Sequence, residues 1–461
     1  MALKDYISGL AEKKVTIVGA GVSNRPLIAI LAENGISVTV CDRADSSALG
    51  EFYTKYSHMG VQFCLGENYL DNVAGDVIFR TPGMHPAHPA LLEAVNRGAL
   101  LTSEMEVFCS LCPCKVFAVT GSDGKTTTTS MLAQLLRAGG YNVWLGGNIG
   151  KPLLADVDSI QAEDVVVLEL SSFQLHSMRC SPDVAVITNL SPNHLDVHPD
   201  YADYVEAKKQ IYLHQSPGAR LVLNFDNEDA ISCASDATGS VSWFSRTSHV
   251  ENGVFLREDG MICYAAAGVA TPILMASELM VPGNHNIENM MAAFAAAARY
   301  VTFDRMADAA RSFSGVSHRL EVIRNHRGVT YINDSIATSP KRTLAGLSCF
   351  DKKILLIAGG KDKGLDFTEL GMAICDHVKE LFLTGMTAET ISCAVRNAPN
   401  YAPDQIQIHM IDDFEEAVRK SAACAEEGDV VLLSPASTSF DRFKNFEERG
   451  NAFRRIVEAL E

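Results

Sequence analysis

The stretch that most restricts the fold of this chain is Val116-Phe117-Ala118-Val119-Thr120, followed at once by Gly121-Ser122-Asp123-Gly124-Lys125-Thr126-Thr127. A short, nearly continuous apolar run ending at glycine reads as a strand buried on both faces, and the residues after the loop read as a helix. Small residues there let backbone N–H groups approach an anion at a helix N-terminus. Lys125 adds a positive charge for terminal phosphates, and Thr126 offers a hydroxyl to Mg²⁺. Val119 stands where the longer form of such a loop has its first glycine. The pattern predicts a nucleotide-phosphate loop formed by Gly121, Ser122, Asp123, Gly124, Lys125, Thr126 and Thr127, within an α/β fold.

Similar punctuation recurs along the 461 residues, about three domains' worth at roughly 150 residues each. Val15–Val18 runs into Gly19-Ala20-Gly21-Val22-Ser23-Asn24, and a second strand at 37–41 ends at Asp42, a βαβ pattern. This first glycine loop suits a diphosphate, and Asp42 sits about twenty residues on, where a dinucleotide fold places its ribose-binding acid. NAD, another nucleotide diphosphate and plain helix–strand packing all remain open here, because the third glycine is missing. The second region carries further strands at 164–168 and 184–188 and an Ala-rich helix at 286–300. Glu169, at the end of four apolar residues, is a second candidate ligand for Mg²⁺. Strand runs at 353–358, 380–384, 405–411 and 429–433 alternate with helical stretches and predict a third parallel sheet.

Composition narrows the function classes. A formal charge of −17 argues against a general nucleic-acid-binding surface but leaves a local nucleotide site open. The N-terminal MALKDYISGLAEKK has no long apolar stretch, so no secretory signal and no membrane span are expected. Twelve cysteines without a regular framework fit a reducing cytoplasm. Cys109, Cys112 and Cys114 form the one cluster; free thiols in an interdomain link are favoured over zinc, because no partner pair follows nearby.

Several further motifs carry a resemblance. Thr120–Thr127 is similar to the TGxxGKT loop of the Mur ligase family, and Gly146-Gly147-Asn148-Ile149-Gly150 to its GGNIG stretch. Glu169-Leu170-Ser171-Ser172-Phe173-Gln174-Leu175 resembles the ELSSFQL segment of the family's D-glutamate-adding branch. Asn189–Asp196 resembles its N-x-x-x-D-H-x-D, with Asn193 where Asp is usual, and Glu206–Tyr212 resembles the segment bearing a carbamylated lysine, with Lys208 rather than Lys209 in register. Gly283–Asn289, His318–Glu321, Asn333–Thr338 (with Ile336 for a Lys) and Ser434–Gly450 resemble later family segments. The likeness runs from the first glycine loop to Gly450.

The resemblance implies three α/β domains: a Rossmann-like UDP-substrate domain at 1–104, a P-loop ATPase-like domain at 105–315, and a Rossmann-like amino-acid domain at 316–461. It implies ATP-dependent addition of D-glutamate to UDP-N-acetylmuramoyl-L-alanine through an acyl phosphate, by a cytoplasmic monomer working in peptidoglycan synthesis. The first loop then turns toward UDP, with Gly21, Val22, Ser23, Asn24, Asp42, Arg43, Asn148, Ser171, Gln174 and His194 on that substrate. ATP falls on the second loop together with Asn286, Asn289, Arg319 and Asp334. Two Mg²⁺ ions fall on Thr126 and Glu169, and on His194 and carbamylated Lys208. Lys125, His194 and Lys208 are the catalytic set, and Thr338, Lys363, Ser439 and Phe446 surround D-glutamate.

Other classes stay in view. Against a sibling ligase adding another amino acid, or a folylpolyglutamate synthase, stand the SSFQL segment and the C-terminal signature, and an amidation-linked relative would be expected to carry a four-cysteine insertion absent here. A nucleotide-binding regulator without catalysis is opposed by the presence of Lys125, Glu169, His194 and Lys208. A nicotinamide oxidoreductase would announce itself by absorbance at the nicotinamide band.

Overall fold

The structure, a computed structural model, describes residues 3–71, 73–195 and 197–460. It has two compact units, one running to Ala276 and including Glu288–Ala310, the other made of Ser277–Ile287 with 311 onward.

The first unit holds two sheets. Five parallel strands, β1 (Val15–Val18), β2 (Val38–Asp42), β3 (Gln62–Leu65), β4 (Val77–Arg80) and β5 (Leu100–Thr102), lie in the order β3-β2-β1-β4-β5. The second sheet contains β6 (Lys115–Thr120), β7 (Val143–Gly147), β8 (Val165–Glu169), β9 (Val184–Ile187), β10 (Arg220–Asn224), β11 (Ser240–Ser245), β12 (Gly253–Leu256), β13 (Met261–Ala266) and β14 (Val269–Met275). Its order is β14-β13-β12-β11-β10-β9-β6-β8-β7, parallel from β7 across to β12 and antiparallel through β13 and β14. Strands β1, β8 and β9 are buried along their whole length, as expected for Val- and Ile-rich runs covered on both faces, with Glu169 the buried charged residue at the end of β8.

The second unit is built on β15 (Glu321–His326), β16 (Val329–Asn333), β17 (Ile354–Ala358), β18 (Val378–Leu383), β19 (Gln407–Met410) and β20 (Val430–Leu433), ordered β15-β16-β20-β17-β18-β19. Only β15 is antiparallel to its neighbour. Helices lie on both faces, and β17 buries every residue. The Ala-rich helix runs Asn284–Ala297 and a second helix, Phe303–Arg311, follows it, so the single stretch expected to reach residue 300 ends earlier. No described helix is long and apolar enough to cross a membrane.

Open parallel sheets gather ligand-facing loops at the carboxyl ends of their strands, at the point where strand order reverses. The first glycine loop leaves β1, which lies between β2 and β4; the second leaves β6, between β8 and β9.

Candidate active site

The second loop is held by β9 and by the helix Tyr201–Leu213. Gly121 has φ of 150°, and a Cβ there would stand 1.9 Å from the Thr188 hydroxyl, so only glycine fits. Asp123 N–H donates to the Asn189 side-chain oxygen (2.9 Å), Thr188 Oγ1 donates to the Asp123 carbonyl (2.6 Å), and Tyr204 donates to Ser122 Oγ (2.9 Å). The helix Lys125–Ala138 begins at Gly124, which has no side chain to fill the cap. Its first turn therefore presents backbone N–H groups and the positive end of the helix dipole at the loop.

Two lysines converge on one carbonyl of this loop. Lys125 Nζ donates to Gly121 O and to Ser122 O, both at 2.9 Å. Lys208 Nζ donates to the same Gly121 O at 2.7 Å and to Thr120 Oγ1 at 3.3 Å, while lying over the Tyr204 ring. Lys208 is 1% exposed, and burial together with the Lys125 charge holds its ammonium well below the ordinary lysine value, against the pull of Glu169 and Asp123. Lys209 points elsewhere, pairing with Glu206 (2.9 Å) and Asp236 (3.2 Å). Neighbouring helical residues leave the axis about 100° apart, which is why one lysine enters the core and the next stays at the surface.

Glu169 closes the loop's other side. Strand β8 pairs with β6 in the register that sets Glu169 opposite Val119, one residue before Thr120. Asn148 Nδ2 donates to Glu169 Oε1 at 2.8 Å, and Asn148 N–H to the Glu169 carbonyl at 2.7 Å. A Cβ on Gly147 would lie 2.1 Å from that carbonyl, which accounts for the glycine before Asn148. Glu169 Oε2 is buried and has no hydrogen-bond partner among the described residues. An orphaned, buried carboxylate oxygen beside a phosphate-type loop fits a hard cation that takes oxygen donors.

His194 is exposed, with φ of 55°, a left-handed conformation that few non-glycine residues adopt. Its N–H donates to Asn193 Oδ1 (2.9 Å), and its ring packs edge-on to Phe173 at 5.2 Å. Asp196 of the same motif lies outside the described residues. Ser171 and Gln174 engage each other as a capping box on the helix Ser172–Leu175.

At the first loop, Asn24 is buried and its Nδ2 donates to the Gly19 carbonyl (2.9 Å) and the Val18 carbonyl (3.3 Å), leaving Oδ1 buried without a partner among the described residues. Asp42 accepts the N–H groups of Ala20 (2.5 Å) and Ala44 (2.7 Å). Gly21, Val22 and Arg43 are exposed and Ser23 half-buried. Ser23, Asn24, Arg80, Glu104 and Gln174 line one small cavity. Sequence reasoning missed Arg80, which is 1% exposed and binds Ser177 Oγ (2.8 Å) and the Phe173 carbonyl (2.7 Å), tying β4 to the ELSSFQL segment. It also missed Glu104, whose carboxyl burial pushes up to about 7.

Asn289 lies in the first unit and accepts from Thr128 Oγ1 at 3.2 Å. Asn286, Arg319 and Asp334 belong to the second unit. There Asn286 Nδ2 donates to the Pro282 carbonyl (2.6 Å), and Arg319 N–H to the Val316 carbonyl (2.9 Å). Asp334 accepts from Ser434 Oγ (2.8 Å), and burial pushes its carboxyl up to about 7. Thr338 and Phe446 are half-buried, Ser439 is buried and Lys363 exposed. Arg449, not singled out from sequence, fastens this region by donating to Ser335 O (2.9 Å) and Ser437 O (3.1 Å).

Fold and loop thus define an α/β protein with a phosphate-binding strand–loop–helix, two lysines and a buried, half-satisfied glutamate at its mouth. The family model described as Mur ligase middle domain matches residues 119–297, and the one described as Mur ligase, glutamate ligase domain matches 318–437. The UDP-N-acetylmuramoylalanine–D-glutamate ligase of Acetivibrio thermocellus is 48% identical over 100% of this chain and 99% of its own length. That of Ruminiclostridium cellulolyticum is 47% identical over 99% of each. The chain belongs to the Mur ligase family. Among solved structures, MurF ligase from Thermotoga maritima in complex with ADP superposes with a TM-score of 0.55 at 19% identity, over 98% of this chain and 96% of that one, a likeness of fold.

Proposed function

We infer that this chain joins the amine of D-glutamate to the carboxylate of UDP-N-acetylmuramoyl-L-alanine in peptidoglycan synthesis, with ATP converted to ADP and phosphate. The observation that carries this reading is near-half identity, from end to end, with ligases of that name. We divide the work among residues 1–104 for the UDP substrate, 105–315 for ATP and 316–461 for D-glutamate, in the cytoplasm.

Amide formation from a free carboxylate is uphill, so the carboxylate is first made reactive. Its oxygen attacks the γ-phosphorus of ATP, giving an acyl phosphate and ADP; the D-glutamate amine then attacks the acyl carbon and phosphate leaves. Such transfer depends on positioning and charge neutralisation. The Gly121–Thr127 loop holds the phosphates through backbone N–H groups, and Lys125 exchanges its loop carbonyls for phosphate oxygens. Thr126 and Glu169 would hold one Mg²⁺, the orphaned Glu169 Oε2 being the free ligand atom. When bound, Mg²⁺ supplies charge neutralisation at the phosphates. Lys208 as an amine has no oxygen to offer a cation. Its burial and the neighbouring Lys125 favour the neutral amine, the form that adds CO₂ to give a carbamate, and the carbamate with His194 would form a second oxygen–nitrogen set. Asp42, Arg43, Asn148, Ser171, Gln174 and the first glycine loop serve the UDP substrate; Thr338, Lys363, Ser439 and Phe446 serve D-glutamate, with Lys363 matched to a carboxylate.

The test is ADP release and product mass with UDP-N-acetylmuramoyl-L-alanine, ATP and a panel of D- and L-amino acids. Turnover with D-glutamate, and a product heavier by one glutamyl residue, is expected. Preference for another amino acid, or ADP release without a ligated product, overturns the reading.

A further inference from the structure

Two clusters of potentially ligating side chains among the described residues are left unused by this chemistry, and the one near the active-site helices is the better built. His85 follows β4, His176 caps the C-terminal end of the helix Ser172–Leu175, and Asp203 lies in the first turn of the helix Tyr201–Leu213. His176 Nε2 lies 2.9 Å from one Asp203 oxygen, and His85 Nε2 lies 3.4 Å from the other. One ligand atom from each of the three residues falls within 4.8 Å of the other two. The two imidazoles meet edge to face, with ring centroids 4.4 Å apart. All three side chains are partly covered, at 24%, 18% and 24% exposure for His85, His176 and Asp203.

The cluster is also supported from behind. His198, 1% exposed in its side chain, sits 2.6 Å by Nδ1 from Asp203 Oδ2 and 2.9 Å by Nε2 from Ser172 Oγ. A serine–imidazole–carboxylate chain of this kind fixes the orientation of a ligating carboxylate, as the outer groups of metal sites do. Phe173 stacks on His198 at 5.3 Å, so the support is itself packed.

We propose that His85, His176 and Asp203 form a binding site for a borderline divalent transition-metal ion of the zinc and cobalt class. Two imidazoles and one carboxylate are the donors such ions favour, with water in a remaining position, whereas Mg²⁺ binds mainly through oxygen donors and matches a two-imidazole set less well. The ion clamps the segment after β4 to the helix that carries Lys208. His85 and Asp203 are 118 residues apart in the chain, so a metal joining them closes a long loop and binds the folded state alone.

The test uses the full chain stripped with a chelator and titrated with Co²⁺ in excess Mg²⁺. One Co²⁺ per chain is expected, with a visible ligand-field band and no near-ultraviolet thiolate band. His85→Asn and His176→Asn should each weaken affinity at least about tenfold, while Cys112→Ser leaves it unchanged. Co²⁺ should raise the melting temperature of the parent protein and not of the two histidine variants. Circular dichroism checks their folding, and His85→Asn, outside any helix, carries the test if His176→Asn does not fold. A strong thiolate band overturns the proposal, because it places the ion on cysteines such as Cys112 and Cys114 or on the Glu380, His409 and Cys424 group. Unchanged affinity in the folded histidine variants overturns it too, as does the absence of Co²⁺ binding.

Discussion

The two glycine loops occupy equivalent places, each leaving an inner strand of a parallel sheet and leading into a helix, yet they are finished differently. The first is closed by its own neighbours' side chains: Asn24 takes the Val18 and Gly19 carbonyls, and Asp42 takes the Ala20 and Ala44 N–H groups. The second has no side chain at its helix cap, two lysines on the Gly121 carbonyl, and a buried Glu169 oxygen without a partner. Glycine spacing says where an anion can approach; the surrounding charges say what chemistry can follow. On the function proposed here, the first loop would hold a ligand and the second one whose charge changes during reaction.

The largest effect that would break this contrast is at Lys125. Lys125→Ala should reduce ATP turnover about a thousandfold or more, since one preorganised charge is worth several kcal/mol in a transition state. Steady-state ADP release measures it, with circular dichroism to show that the variant folds; near-normal turnover would remove the distinction between the loops.

Next comes the lysine pair on the neighbouring helix. Lys208→Ala should slow ligation by about a hundredfold or more, with partial recovery in short carboxylates, which can replace a lost anion. Lys209→Ala, which removes only surface pairs, should stay within about twofold of the parent. The reverse ranking in the same assay would put the reactive lysine in the wrong register.

A smaller effect concerns the backbones. Gly121→Ala should destabilise the protein by about 2–4 kcal/mol, combining positive-φ strain with overlap at Thr188. At Gly21 nothing lies within 4 Å of an added Cβ, so Gly21→Ala should change urea stability by less than about 1 kcal/mol. Equal losses in urea unfolding would mean that the loops are equally constrained.

The smallest effect is a pH dependence at the cavity beside the first loop. Glu104 has a folded pKa of about 7, above its ordinary value of 4.5. Its protonated form is favoured by folding, so this stability is complete below about pH 4.5 and is lost as pH rises through 7, amounting to at most roughly 3 kcal/mol. Urea midpoints at pH 5 and pH 8 should therefore differ less in Glu104→Gln than in the parent, and an equal difference would show that Glu104 is not the titrating group.

Much of this architecture was legible because parallel strands buried on both faces are predominantly apolar, as in β1, β8, β9 and β17, with Thr16 and the strand-end Glu169 as the polar exceptions. Among the strands not named from sequence, β4 and β10 are buried throughout but end in or begin with Arg80 and Arg220, which break the apolar run, while others lack the constraint. β13 and β14 form an antiparallel edge with mixed burial, and β15–β16 is a hairpin turning through Arg327 and Gly328, both at positive φ, without the usual Asn-Gly signal. At the site, the motif named the loop and both lysines, but spacing alone could not show that they meet at one carbonyl. Tyr204, Thr188 and Arg80 were unreadable for the same reason: each acts through a partner more than sixty residues away in the chain. The ELSSFQL match named Ser171 and Gln174 without revealing that they cap each other.

The most direct measurement is calorimetric binding of two ligands, a non-hydrolysable ATP analogue with Mg²⁺ and the UDP-linked substrate, to the parent, Lys125→Ala and Asp42→Asn proteins. Lys125→Ala is expected to weaken the ATP analogue and leave the UDP substrate within about twofold, while Asp42→Asn does the opposite, each loss being about 1–3 kcal/mol. Loss of both ligands in one folded variant, or loss of the ATP analogue in Asp42→Asn alone, would contradict the division of labour between the loops.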